Sequence, residues 1–184
     1  MQRKIFIGVN LSNELKKRLM QKVSRFKDAP VRWSERENLH LDLINLGHIE
    51  DEILYDVCEK IKKVVENIDV FDVDLESIEL SPAENPKKVA FVGRESEELK
   101  NLCEAIEKEL NIFGSSKKSF RPSITLGRIQ QFNWEKLENK PEIKENFTVL
   151  LSIESVEIFE SVTEGRKRKF EVLESCGLQG FAGN

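Results

Sequence analysis

Two short stretches, 83 positions apart, hold residues able to move protons and make hydrogen bonds. The first is His40-Leu41-Asp42-Leu43, inside ENLHLDLINLG from Glu37 to Gly47. The second is Ser123-Ile124-Thr125-Leu126, inside FRPSITLGRI. Both alternate polar and apolar residues with a period of two, which is a strand pattern. Alternate side chains share a face, so His40 and Asp42 point one way while Leu39, Leu41 and Leu43 make a core row. Ser123 and Thr125 take the corresponding face of the second strand. An imidazole serves as acid or base near neutral pH. A hydroxyl can bind a phosphate oxygen, but Ser123 has no acid–base capacity near pH 7. Asp42 reads in two compatible ways, as an outward polar residue keeping the alternation or as a charge partner that holds His40 as imidazolium. Its carboxylate repels a phosphate in either case. Read from the local pattern alone, His40 is a partly exposed strand histidine with no task.

Those two strands need a scaffold, and the chain supplies one in order. Lys4–Asn10 reads as a buried strand. Ser12 caps a helix whose stripe is Leu15, Leu19, Val23 and Phe26. Val31-Arg32-Trp33 is a short strand before the His40 strand, which Gly47-His48-Ile49 closes. Acids at 50–52 open a second helix with Ile53, Leu54, Val57, Ile61, Val64 and Val65 on its apolar face. A half-buried strand runs from Phe71 to about Leu80, and a two-proline loop leads to the buried strand Val89–Gly93. A third helix spans about Ser96–Ile112, and Gly114-Ser115-Ser116 loops to the Ser123 strand. The stretch from Gly127 to Ile143 reads as irregular. Phe147–Phe159 reads as one long strand; Thr163-Glu164-Gly165 turns into a returning strand, Arg168–Leu173. The tail from about 177 is expected to fray.

The 184 residues, 39% hydrophobic and 34% charged, describe a globular chain with one core. A net charge of −4 excludes general electrostatic binding to nucleic acid, so any RNA contact needs a local basic patch. The candidates are Arg32 and Trp33 before the first motif, Lys117, Lys118 and Arg121 before the second, and Arg128 after it. Lys117 and Lys118 read better as ordinary surface charge. The run Arg166-Lys167-Arg168-Lys169 equally protects an exposed hairpin strand. Three scattered cysteines, Cys58, Cys103 and Cys176, have neither metal nor disulfide spacing, which predicts a reducing cytoplasm. No apolar run reaches membrane length. His48 reads as a loop residue, and no histidine or cysteine spacing supports a metal site with His40 and Asp42.

The motifs and their surroundings, ENLHL…LG and F-x-P-x-ITLGR, resemble the two-histidine phosphoesterase superfamily, in particular RNA 2′,3′-cyclic phosphodiesterases, also called 2′-5′ RNA ligases. The resemblance covers Ile5 to about Leu173. It implies an α+β, bilobal, pseudo-symmetric fold: a single two-lobed domain over 1–184, with antiparallel sheets lining a central cleft and helices outside. It implies that His40 is an acid–base group and that Thr125 binds phosphate. Ser123 stands where the family has its second histidine, and Asp42 where it has Thr or Ser. Arg128 matches the arginine after the family's second motif; Arg121 and Arg32 are expected as phosphate clamps and Trp33 as a stacking surface. RNA ends or nucleotides bearing a cyclic phosphate are the expected partners of a monomer, with no cofactor and no metal. The expected activity is weakened or altered cyclic phosphodiesterase chemistry; the alternative is a catalytically silent protein that holds RNA ends or nucleotides on the same fold.

Overall fold

The computed structural model describes residues 1–112 and 120–181. Its element order is β1 (Gln2–Asn10), α1 (Asn13–Val23), β2 (Val31–Trp33), β3 (His40–Glu50), α2 (Asp51–Val65), β4 (Phe71–Ser81), β5 (Lys88–Gly93) and α3 (Glu97–Glu109). There follow β6 (Ser123–Ile129), α4 (Gln131–Glu135), β7 (Lys144–Ile153), β8 (Ser155–Glu164) and β9 (Lys167–Gly177). The fold is α+β, as expected. The strands form one nine-stranded antiparallel sheet in the order β7-β4-β5-β6-β3-β1-β8-β9, with β2 also paired to β6.

The sheet is continuous rather than two separate sheets, and the β3–β6 seam divides it into two four-stranded halves, with β2 added beside β6. One register pair, Leu41 with Ile124, joins them, and both residues are fully buried. The two motif strands are therefore neighbours, and their polar faces open side by side. Each half repeats a unit: β1, α1 and β3 in the first, β5, α3 and β6 in the second. In the first, Gly8 pairs with Asp42 and Asn10 with His40. In the second, Ala90 pairs with Thr125 and Val92 with Ser123.

Both motif strands then carry a bulge at the same place. The pairing skips Leu43 on β3 and Leu126 on β6. An extra residue resets which face each side chain takes. Asn45 and Arg128 consequently return to the cleft side, where simple alternation would have turned them away.

The core lies behind this sheet face. Ile5, Ile7 and Val9 of β1, Leu41 and Leu43 of β3, Val89 and Phe91 of β5, and Ile124 and Leu126 of β6 are all buried. The helices pack onto it through the expected stripes, with Leu15, Leu19 and Val23 buried on α1 and Leu99, Leu102 and Ile106 on α3. Removing such side chains from water stabilises by roughly 1.5–3 kcal/mol each.

Several expectations change. The long strand over 147–159 is two strands divided at Glu154. The sequence carries the reason: Ile153 and Val156 are three apart, so the alternation slips there, and β7 and β8 belong to opposite halves. The irregular stretch after Gly127 contains α4, which buries Trp134. β3 does not close at Gly47 but continues to Glu50, with exposed His48 paired opposite Lys4. The tail does not fray at 177. Leu178 is buried and donates its N–H to the Glu154 carbonyl, and Gln179 bonds the Ile68 and Val70 backbones. Gly114-Ser115-Ser116, Lys117 and Lys118 lie outside the described residues.

All three cysteines are free thiols. Burial, with Glu174 adding to it, pushes the Cys176 thiol up to about 12. No helix among the described residues is long and apolar enough to cross a membrane.

Candidate active site

The seam between the halves opens into a cleft of about 610 Å³. His40, Asp42, Ser123 and Thr125 all line it, so the structure brings the two motifs to one place. His40 is 9% exposed, whereas Asp42, Ser123 and Thr125 are half-buried.

The His40 ring is fixed on every side. Nδ1 lies 2.8 Å from the Asn38 carbonyl, which can only accept, so Nδ1 carries a proton. Nε2 lies 2.8 Å from Asp42 Oδ1 and is the nitrogen left to exchange a proton. Three phenyl rings box the imidazole: Phe6 at 4.9 Å, Phe159 at 5.3 Å and Phe170 at 5.4 Å between centroids. Asn38 sits in the turn Arg36–Asn38 just before β3. Its side chain donates to the Arg168 carbonyl at 2.8 Å and accepts from the Phe170 N–H at 3.0 Å. That two-point tie pins the β9 wall to the residue that orients His40.

Asp42 is the centre of the site. Its Oδ1 faces His40 Nε2, and its Oδ2 accepts from Thr125 Oγ1 at 3.1 Å. The carboxylate thus bridges the imidazole and the hydroxyl expected to hold phosphate. An anion belonging to the protein sits where the two groups would otherwise meet an anion from outside. Antiparallel pairing at Leu41 and Ile124 places Ser123 across the seam from Asp42.

The walls are basic. Five residues lining the cleft are Lys4, Lys88, Arg121, Arg128 and Arg168, and Asp42 is its one carboxylate among the described residues. A chain of net charge −4 has therefore concentrated positive charge here. Arg121 is partly committed elsewhere, since Nε donates to the Gly93 carbonyl at 2.7 Å and Nη1 is 3.8 Å from Glu79. Arg128 lines the cleft as expected. Arg32 is exposed and is paired opposite Arg128, outside the cleft lining.

Trp33 does not offer the expected stacking surface. It lies on the other face of β2, where a Cβ on Gly127 would come within 2.9 Å of its ring, and it packs against the core. Phe6 and Phe170 are the aromatic residues in the cleft. Neither they nor Lys4, Lys88 and Arg168 stood out in the sequence. Phe6 and Lys4 share alternate positions on β1, a signal that identifies the face but not what lies opposite. Lys88 and Arg168 depend on strand pairings far apart in the chain. Arg168 also divides the basic run: Lys167 and Lys169 pair with glutamates, while Arg168 faces the cleft. Among the described residues no cluster of three His, Cys, Asp or Glu could hold a metal ion.

Residues 9–91 match the family model described as LigT like Phosphoesterase. The chain is 23% identical over 181 residues to the RNA 2′,3′-cyclic phosphodiesterase of Thermotoga maritima, spanning 95% of each chain. It is 23% identical over 147 residues to the protein of the same name from Methanocaldococcus jannaschii, covering 77% of this chain and 78% of that one. Among solved structures, TT0787 of Thermus thermophilus superposes with a TM-score of 0.76 at 23% identity, over 96% of this chain and 98% of that one. E. coli LigT in apo form gives 0.76 at 18% identity, over 97% and 98%. These likenesses show the shared fold.

Proposed function

Proceeding from a LigT-like phosphoesterase of the two-histidine superfamily with RNA 2′,3′-cyclic phosphodiesterase homologues, we propose that this chain takes RNA or nucleotide ends bearing a 2′,3′-cyclic phosphate. It opens them far more slowly than a two-histidine relative does. The observation that carries this is the basic cleft that His40 lines together with Ser123 and Thr125.

Opening the cyclic ester requires water to attack phosphorus while the bond to the ribose 3′ oxygen breaks, leaving a 2′-phosphate. One group accepts the water proton and another supplies a proton to the departing oxygen. His40 Nε2 can fill one of these roles, and solvent water must fill the other. Arg128 and Arg121 supply the charge that draws the phosphate in, and Thr125 the hydroxyl that holds it. On the same proposal the protein works as a cytoplasmic monomer without metal or cofactor, and its three free cysteines support the reducing compartment.

Asp42 favours a second reading. Because it occupies both His40 Nε2 and Thr125 Oγ1, the cleft can hold a nucleotide end without processing it. Turnover of cytidine 2′,3′-cyclic phosphate separates the two. On the enzyme reading, turnover is slow, His40→Ala removes it, and Asp42→Thr raises it by freeing both partners. A rate unchanged by His40→Ala would sink the site assignment. No turnover in the parent or in Asp42→Thr, with binding retained, makes it a binding protein.

A further inference from the structure

Lys88, Arg128 and Arg32 stand in one row across three adjacent strands. The register pairs Lys88 of β5 with Arg128 of β6, and Arg128 with Arg32 of β2. Directly paired residues share a face, so all three project on the cleft side of the sheet. Like charges set directly opposite destabilise a sheet, and here three follow one another. None of the three forms an ion pair among the described residues.

The other strand cations are divided: Lys4, Lys144 and Arg168 also lack an ion pair among the described residues, but each stands singly, while others have acids. Arg3 of β1 has Asp51 and Glu160, and Lys169 of β9 has Glu164 and Glu171. In a chain with 33 acids against 29 bases, this row is the one place among the described residues where the register sets cation against cation. Their mutual repulsion is relieved by an anion from outside.

We infer that this row is a second phosphate site, which takes the phosphate on the 5′ side of the terminal nucleotide while its cyclic phosphate lies at His40 and Thr125. The inference rests on the function proposed above. The spacing supports two phosphates rather than one. Because of the bulge, Thr125 and Arg128 stand opposite Ala90 and Lys88, two positions or about 7 Å apart, and Arg32 lies one further strand away, about 5 Å across. Thr125 has a short side chain, so a phosphate on its hydroxyl lies at that position of β6, whereas one on Arg32 and Lys88 lies two positions along. The bulge at Leu126 is what turns Arg128 to this side, so the row depends on a specific feature of the motif strand. Arg128 shares a strand with Thr125 and the row with Arg32 and Lys88, and so stands between the two positions. The preferred ligand is therefore a nucleotide end with a second phosphate, over a nucleoside cyclic monophosphate. A strand linkage and a free 5′-phosphate share this chemistry.

Stable product-like ends test it by calorimetry. The probes are cytidine 2′-phosphate, the dinucleotide ApC ending in a 2′-phosphate, the same dinucleotide with an uncharged methylphosphonate linkage, and cytidine 2′,5′-bisphosphate. The parent should bind the phosphate-linked dinucleotide about tenfold more tightly than the methylphosphonate, as one charge-assisted contact predicts. Arg32→Ala with Lys88→Ala should erase that ratio and flatten the salt dependence by about 0.7 per lost contact. Arg32→Lys with Lys88→Arg should keep it. A gain from the bisphosphate equal to that of the dinucleotide supports the row as a site for any 5′ phosphate, and a gain only in the dinucleotide supports it as a strand site. Equal binding of phosphate and methylphosphonate by the parent, or a ratio that survives the double alanine variant, overturns it. Turnover of cytidine 2′,3′-cyclic phosphate, which has no second phosphate, reports on the first site alone, so failures of the two readings are distinguishable.

Discussion

The two halves of the sheet are built alike and equipped differently. In each, a serine caps the helix: Ser12 Oγ accepts the Leu15 N–H and Ser96 Oγ accepts the Leu99 N–H, both at 3.2 Å. In each, the motif strand pairs with the strand before that helix and bulges at its fourth motif residue. Equivalent positions then diverge. His40 answers to Ser123, Asp42 to Thr125, Asn45 to Arg128, Phe6 to Lys88 and Gly8 to Ala90. The first half surrounds its ring with phenyl groups, while the second presents hydroxyls and cations. The scaffold repeats, but the imidazole sits on one side and the hydroxyls on the other, with cleft cations from both: Lys4 and Arg168 from the first, Lys88, Arg121 and Arg128 from the second.

The pair Gly8 and Ala90 gives the sharpest way to break this comparison. A Cβ on Gly8 would lie 3.0 Å from His40 Cδ2 and 2.6 Å from the Leu41 carbonyl oxygen. The imidazole fits over β1 because glycine leaves that space. Ala90, at the matching place, already carries the methyl group. Ser123→His alone should therefore raise cyclic phosphodiesterase turnover by less than about tenfold, since the new ring meets the Ala90 methyl. Ser123→His with Ala90→Gly should recover about 10²-fold or more, the scale of one acid–base partner. The two changes share a site and should be strongly non-additive. Full recovery by Ser123→His alone, with Ala90→Gly adding nothing, would show that space is not what separates the halves.

The converse change reads as stability. Gly8→Ala forces a methyl against backbone that cannot give, which costs about 1–3 kcal/mol. Ala90→Gly removes a methyl and frees the unfolded chain, costing about 0.5–1 kcal/mol. Urea unfolding of both variants measures the difference. Gly8→Ala should also shift the His40 ring protons in NMR spectra, because the ring leaves its place among Phe6, Phe159 and Phe170. An unshifted ring with an unchanged midpoint would refute the close approach.

The sequence marks the halves but not their joint. Period-two alternation placed His40, Asp42, Ser123 and Thr125 on one face each, because that pattern depends only on neighbours in the chain. It could not show that β3 and β6 are neighbours, since a single pair, Leu41 with Ile124, joins them. Lys88 carries no local signal, and Arg168 reads only as part of a basic run, for the same reason: what makes them cleft residues is pairing with distant strands. Trp33 was misplaced because a three-residue strand has too little alternation to fix its faces. The bulge at Leu126 was equally silent, yet it decides where Arg128 points.

The smallest effect tests the two helices. Lys16 follows its cap Ser12 by four residues, as Lys100 follows Ser96, so the two lysines occupy equivalent places. Lys100 is exposed in its side chain by 41% and lies 4.0 Å from Glu97. Lys16 is 7% exposed, and its ammonium reaches only the Glu37 carbonyl, at a long 3.4 Å. Burial lowers its pKa, with Glu37 opposing and Arg36 reinforcing the shift. The folded state thus gives up this proton more readily than the unfolded chain does. Over the range between the lowered value and the ordinary lysine value, the unfolded state binds more protons, so stability rises with pH there. Lys16→Met keeps the buried stem and removes the desolvated charge. It should stabilise by about 1 kcal/mol near pH 7 and lose the rise on the alkaline side. Lys100→Met should stay within about 0.5 kcal/mol at every pH. Urea midpoints at pH 7 and pH 10 decide it: a Lys16→Met variant less stable than the parent would mean that the bond to Glu37, which holds the turn before His40, outweighs the cost of burying the charge.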